Sequence, residues 1–127
     1  MLEKSANNIM SIKTVVNYSK YLTGRIDLTQ HSKLILQQLL QLSILFGKPL
    51  YFTSSFRTPK QNRICGGSPT SSHLKGLAFD IKCTTSLDRY RLIDSIHILG
   101  IKRYGVYKNF IHVDFDDSKP QNVAWYE

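Results

Sequence analysis

Apolar positions along this chain form two helical stripes, with runs of strand-like alternation between and after them. Across residues 29–46, Leu34, Ile35, Leu36, Leu39, Leu40, Leu42, Ile44, Leu45 and Phe46 make a broad stripe, and Gln30, Lys33, Gln37, Gln38 and Gln41 fill the opposite side. Asp27 or Thr29 is placed to cap this helix, and Gly47 followed by Pro49 stops it. A second stripe, Leu87, Tyr90, Leu92, Ile93, Ile96 and Leu99, predicts a helix capped by Ser86 and ended by Gly100. A short helix is predicted from Pro59, at the first helical position after Thr58, through Ile64 to the Gly66-Gly67 break. The irregular spacing of Ile9, Ile12, Val15, Val16 and Tyr18 fits a short helix or a wrapped arm over residues 9–21.

Strand signals fill the rest. Residues 50–54 are aromatic and β-favouring. In residues 76–82, Leu77, Phe79 and Ile81 alternate with Ala78, Asp80 and Lys82, which sets Asp80 on the face away from the apolar one. Residues 103–107 and 110–115 read as a hairpin about Lys108-Asn109. In the second of these, Ile111, Val113 and Phe115 face the core, while His112 and Asp114 share the other face, their Cα atoms about 7 Å apart. The tail is polar through Pro120, and Trp125-Tyr126 is expected to fold back on the body. The predicted architecture is α+β, a single domain over residues 1–127 in which a small antiparallel sheet packs against helices.

Charge narrows the partners without naming one. Seventeen Lys and Arg against nine Asp and Glu give a net charge of +8, which favours polyanions such as nucleic acid, anionic wall polymers or lipid headgroups. The basic residues are scattered rather than gathered with aromatics, so no dedicated nucleic-acid surface is expected. The start lacks the apolar stretch of a signal peptide, and no segment is long and apolar enough to span a bilayer. The expectation is a soluble, monomeric chain made in the cytoplasm, which another agent must deliver to any substrate outside. Cys65 and Cys83 lack the spacing of a thiolate zinc knuckle and are read as free thiols, although a disulfide between them is sterically conceivable.

The candidate chemistry lies in two runs, Ser71-Ser72-His73-Leu74-Lys75-Gly76-Leu77-Ala78-Phe79-Asp80-Ile81 and Phe110-Ile111-His112-Val113-Asp114. Two histidines and one carboxylate are a recognised catalytic zinc set that leaves a position open for water. His73 in a loop, Asp80 on a strand and His112 on a neighbouring strand can supply it. His31 and His97 have no carboxylate at ligand spacing and are read as surface or helix-packing residues.

These runs, with Thr53-Ser54-Ser55-Phe56-Arg57-Thr58-Pro59, Asn62 and Gly66-Gly67, resemble the signature blocks of the zinc D-Ala-D-Ala carboxypeptidase family. That family is related to lysostaphin-type peptidases and the hedgehog signalling domain. The resemblance covers about residues 34–115 and implies their metallopeptidase-like fold, with Zn2+ held by His73, Asp80 and His112. It also implies that Arg57 lies by the substrate and stabilises the carbonyl oxygen as it becomes an oxyanion. Ser71 is implied to hydrogen-bond the substrate peptide, its alternative being a loop cap.

The chain departs from the family at the general base. Several members carry a glutamate three residues before the last ligand, where this chain has Asn109, beside Lys108 and Tyr107. Asp114 is the substitute on the strand face of His112, either as the base or as a residue orienting a ligand histidine. A subset of the family shares this His-x-Asp ending.

The implied activity is a zinc peptidase cleaving a D-alanine-containing bond in the stem or cross-bridge peptide of bacterial peptidoglycan. That activity suits a phage-type lysis enzyme, or one carried on a virion, that acts on the wall after release or delivery. The missing glutamate leaves open a catalytically silent, zinc-stabilised binding or structural module. A basic nucleic-acid-binding protein without zinc is the remaining alternative.

Overall fold

The structure, a computed structural model, describes residues 17–127; the 9–21 reading therefore falls outside it up to residue 16. The described end of that reading is one 3-10 turn, Tyr18–Lys20. Strands β1 (Leu22–Gly24), β2 (Leu50–Ser54), β3 (Ala78–Lys82), β4 (Arg103–Val106), β5 (Phe110–Asp114) and β6 (Val123–Tyr126) form one sheet in the order β1-β2-β3-β5-β4-β6. Three helices accompany it among the described residues: α1 (Lys33–Phe46), α2 (Pro59–Ile64) and α3 (Ser86–Leu99). The fold is α+β, as the pattern predicts. Its sheet is mixed rather than purely antiparallel: β2, β3, β5 and β4 are antiparallel neighbours, and β1 and β6 add parallel pairings at the two edges. Both edge strands are too short to show a period-2 signature in the sequence.

Helix α1 starts later than the expected bound at residue 29. Ser32, not Asp27 or Thr29, is its cap, and its side chain accepts from the Ile35 N–H at 3.2 Å. Asp27 instead caps a separate 3-10 turn, Leu28–Gln30, and His31 breaks the run with extended backbone. The His31 ring is held there by Nδ1–H donation to the Gly76 carbonyl at 2.9 Å and by packing on Phe79, a centroid separation of 4.7 Å. Thr85, one residue before Ser86, caps α3 through the Asp88 N–H, and Gly100 ends it in the left-handed conformation. Helix α2 has the predicted start: Thr58 and Gln61 make a reciprocal capping box around Pro59.

The core lies on one side of the sheet. Leu39 and Leu42 of α1 and Leu92 and Ile96 of α3 are fully buried, as are Phe52, Phe79, Ile81, Ile111 and Val113 of β2, β3 and β5. Alternation then sends Asp80, His112 and Asp114 to the other side, away from α1 and α3.

Candidate metal centre

Sheet register assembles the site. Asp80 pairs with His112 across β3 and β5, His112 with Gly105 across β5 and β4, and Gly105 with Trp125 across β4 and β6. One row of the site face therefore reads Asp80, His112, Gly105, Trp125. A Cβ at Gly105 would overlap the Trp125 indole, so glycine is the residue that lets this ring pack over β4 beside His112, their centroids 5.5 Å apart and their planes tilted by 48°. The next row pairs Ala78 with Asp114, and the same register sets Arg103 opposite Asp114.

His73 reaches this face from a 3-10 turn, Ser72–Lys75, that the left-handed Gly76 ends. Ser71 caps the turn by accepting from the His73 N–H at 3.2 Å, and the Arg57 N–H donates to the His73 carbonyl at 3.0 Å. The His73 ring is buried, and its Nδ1–H donates to the Ser55 carbonyl at 2.6 Å. A carbonyl oxygen only accepts, so Nδ1 carries the proton of that bond and Nε2 faces Asp80 Oδ1, 3.3 Å away. His112 directs Nδ1 to the same Asp80 oxygen at 2.9 Å and Nε2 to Asp114 Oδ2 at 2.8 Å. One donor atom from each of His73, Asp80 and His112 lies within 4.8 Å of the other two. Two imidazole nitrogens and a carboxylate oxygen converging in a cleft fit a divalent cation of the zinc type.

The other anticipated residues occupy defined places. Arg57 spans the centre, with Nε on Ser54 Oγ at 2.9 Å, Nη1 on Asn62 Oδ1 at 3.3 Å and Nη2 on Asp80 Oδ2 at 3.4 Å. Ser71 and Arg57 both line a cleft of about 400 Å³ that holds the three donors. Asp114 is almost wholly buried, and Oδ1 accepts from Arg103 Nε at 2.6 Å and from the Asp116 N–H at 3.3 Å. Asn109, at the position of the absent glutamate, is exposed in the two-residue turn that the Tyr107 N–H closes onto the Phe110 carbonyl. His31 and His97 stay outside: His97 is exposed and pairs with the Tyr104 hydroxyl at 2.9 Å. Cys65 is exposed and Cys83 buried, and they are not joined.

Electrostatics match this geometry. Burial works to raise the Asp80 pKa, but hydrogen bonds from His112 and His73 outweigh it and bring the carboxyl to about 2. Burial works to lower the His112 pKa, and hydrogen bonds to Asp114 and Asp80 reverse this, so the ring binds a proton more tightly than a free histidine. At Asp114 burial opposes ionisation, and contacts with His112 and Arg103 win.

The family model described as peptidase M15 matches residues 9–114. The chain belongs to the peptidase M15 family. No curated protein sequence matches it. M15 enzymes are metal-dependent peptidases, so the convergent His73, Asp80 and His112 stand where such a family needs a metal site. The match opens earlier than the resemblance at Leu34 and closes on Asp114.

Three supporting residues escaped sequence reasoning. Arg103 holds Asp114 and lies over the Trp125 ring at 5.3 Å; its signal was present, because a hairpin about Lys108-Asn109 sets 103 opposite 114. Asp116, fully buried, accepts from Ser72 Oγ at 2.7 Å and Lys75 Nζ at 3.2 Å, tying the His73 turn to the exit of β5. Trp125 donates from Nε1 to the Tyr107 hydroxyl at 3.0 Å, and no spacing in the sequence marks it as part of the cleft.

Proposed function

We propose that this M15 chain is a zinc-dependent peptidase that hydrolyses a D-alanine-containing peptide bond of bacterial peptidoglycan. The observation that supports it is the convergence of His73 Nε2 and His112 Nδ1 on Asp80 Oδ1 in the floor of an open cleft. A zinc ion bound there supplies a Lewis acid that polarises the scissile carbonyl and acidifies water. His73 Nε2 and His112 Nδ1 would hold the ion, and the Ser55 carbonyl and the Asp114 carboxylate engage the far nitrogen of each ring. Arg57, fixed by Ser54 and Asn62 beside Asp80, presents a guanidinium to charge developing on the substrate carbonyl oxygen. Ser71 stands at the cleft wall, where its hydroxyl can meet the peptide backbone.

Asp114 serves as a positioning residue in this reading. Its oxygens are engaged by His112, Arg103 and the Asp116 N–H, so it acts through the ring it holds. The lack of a free carboxylate favours one rival: the cleft is lined by two, Asp80 and Asp114, both committed to histidines. A zinc-stabilised binding module without turnover would have this property. The basic charge suits an anionic wall, and a lysis or virion-borne role fits a peptidase delivered to that wall.

Turnover on purified peptidoglycan tests the proposal. Zinc-loaded native protein should release new amino termini, and His73→Ala and Arg57→Ala should each lose at least a hundredfold in rate. Absence of product from zinc-replete native protein would leave the silent-module reading standing.

A further inference from the structure

The three candidate ligands are not placed by the same means. Asp80 and His112 face one another across β3 and β5 and are set by the register of the ladder. His73 sits instead in the 3-10 turn Ser72–Lys75, so its distance from the other two depends on how that turn is moored to the sheet. One mooring lies just past β2, where the Ser55 carbonyl takes the ring Nδ1–H and the Arg57 N–H reaches the His73 carbonyl. The opposite mooring is Asp116, two residues beyond the end of β5 and 1% exposed.

Asp116 divides its two oxygens. Oδ1 closes its own loop, accepting from the Ser118 N–H at 3.1 Å and from Ser118 Oγ at 2.6 Å. Oδ2 is turned to the His73 turn and accepts from Ser72 Oγ at 2.7 Å and Lys75 Nζ at 3.2 Å, two residues that bracket the histidine. Lys119 Nζ completes the cluster, 2.8 Å from both Ser72 Oγ and the Thr70 carbonyl and 3.8 Å from Asp116 Oδ2. On its other side the Asp116 N–H donates to Asp114 Oδ1 at 3.3 Å, and Asp114 Oδ2 holds His112 Nε2 at 2.8 Å. One buried residue thus reaches the segment of one candidate histidine ligand through Ser72 and the ring of the other through Asp114. A loop cap needs only an oxygen acceptor. A buried carboxylate is costly unless it is compensated, and here the compensation comes from the His73 turn and two lysines drawn to it.

We propose that Asp116 is a positioning residue of the metal centre: its carboxylate sets how far His73 reaches toward the point shared with Asp80 and His112, and so sets metal affinity and ligand geometry. The proposal rests on the metal centre of the reading above and not on turnover. Asparagine at this position keeps the shape and the backbone link to Asp114, but removes the charge that gathers Lys75 and Lys119 beside Ser72. The His73 turn then loses one of its two moorings, while Asp80 and His112 remain fixed by the ladder.

The test measures, in the full chain, zinc affinity by competition with a chromophoric chelator and the d–d absorption of the Co2+-loaded protein, which reports ligand geometry. Native protein is compared with Asp116→Asn, Ser72→Ala and the double variant. Asp116→Asn should weaken zinc binding about tenfold and Ser72→Ala about fivefold, and the double variant should lose no more than about tenfold, because both changes cut one link. The cobalt bands should move in Asp116→Asn. Ile96→Val, a change in the core on the far side of the sheet, is the control: it should lower Tm and leave zinc affinity and the cobalt bands as they are in native protein. A lower Tm in Asp116→Asn with native zinc affinity and native cobalt bands overturns the proposal. Losses that multiply in the double variant, or an equal loss of zinc affinity in Ile96→Val, overturn it as well. If Asp116→Asn does not fold, Ser72→Ala decides, and native zinc affinity there overturns the proposal. Native protein that binds no zinc overturns the metal centre and the role of Asp116 together, whereas tight zinc binding without peptide hydrolysis overturns the peptidase reading alone.

Discussion

His112 is held from both sides by carboxylates, and its two neighbours have opposite duties. Asp80 shares the point where a cation would sit, whereas Asp114 grips the far nitrogen and is itself gripped by Arg103. Replacing Asp114 with Asn keeps the shape and removes the charge that fixes the ring. Zinc affinity should fall about 10–100-fold, with activity largely restored at saturating zinc. Full zinc retention with abolished kcat would instead make Asp114 the proton acceptor. The pH response follows from the same contacts. In the metal-free protein the raised His112 pKa gives stability that is complete below the ordinary value near 6.5 and is lost as pH rises through the folded pKa. Asp80, depressed to about 2, gives stability that is present above its ordinary 3.8 and is lost as pH falls through about 2. Zinc needs the neutral ring, so it competes with a tightly held proton. The increase in Tm on adding zinc should be small at about pH 5 and large at about pH 8. A zinc response independent of pH would contradict the placement of His112.

At the scale of elements, the site depends on how closely β4 and β6 approach. Gly105 is not in the left-handed region, so an alanine there meets no backbone strain, and its cost must come from the Trp125 ring. Gly105→Ala should destabilise by about 1–3 kcal/mol in denaturant unfolding. In a Trp125→Ala background the same change should cost little or turn favourable, since Ala restricts the unfolded chain more than Gly does. An equal cost in both backgrounds would contradict the packing. The elements differ in how much of this the sequence displays. Alternation in residues 76–82 and 110–115 puts Asp80 and His112 on a common face, because a strand with one buried side has a single tolerable register. Helix α1 starts after residue 29 because Ser32 caps it and His31 leaves the helical path to reach Gly76, 45 positions away. Strand β6 had no local signal: it exists because β4 offers an edge, a long-range fact.

Across the whole molecule, stability and chemistry sit on opposite faces of one sheet. Helices α1 and α3 cover the apolar face, and the polar face carries the donors, with the His73 turn bound to the β5 exit through Ser72 and Asp116. The three donors were legible as residues because their types and strand positions were visible. Their support, Arg103, Asp116 and Trp125, became visible only once the hairpin register and the tail had been placed. This division leaves the core intact when a ligand is removed, so metal content can be read without unfolding the chain. Elemental analysis of purified native and His112→Ala protein tests the metal centre most directly. The account predicts about one zinc per native chain and almost none in His112→Ala, both folded by circular dichroism; native protein without bound metal, or equal zinc in the two, would contradict it.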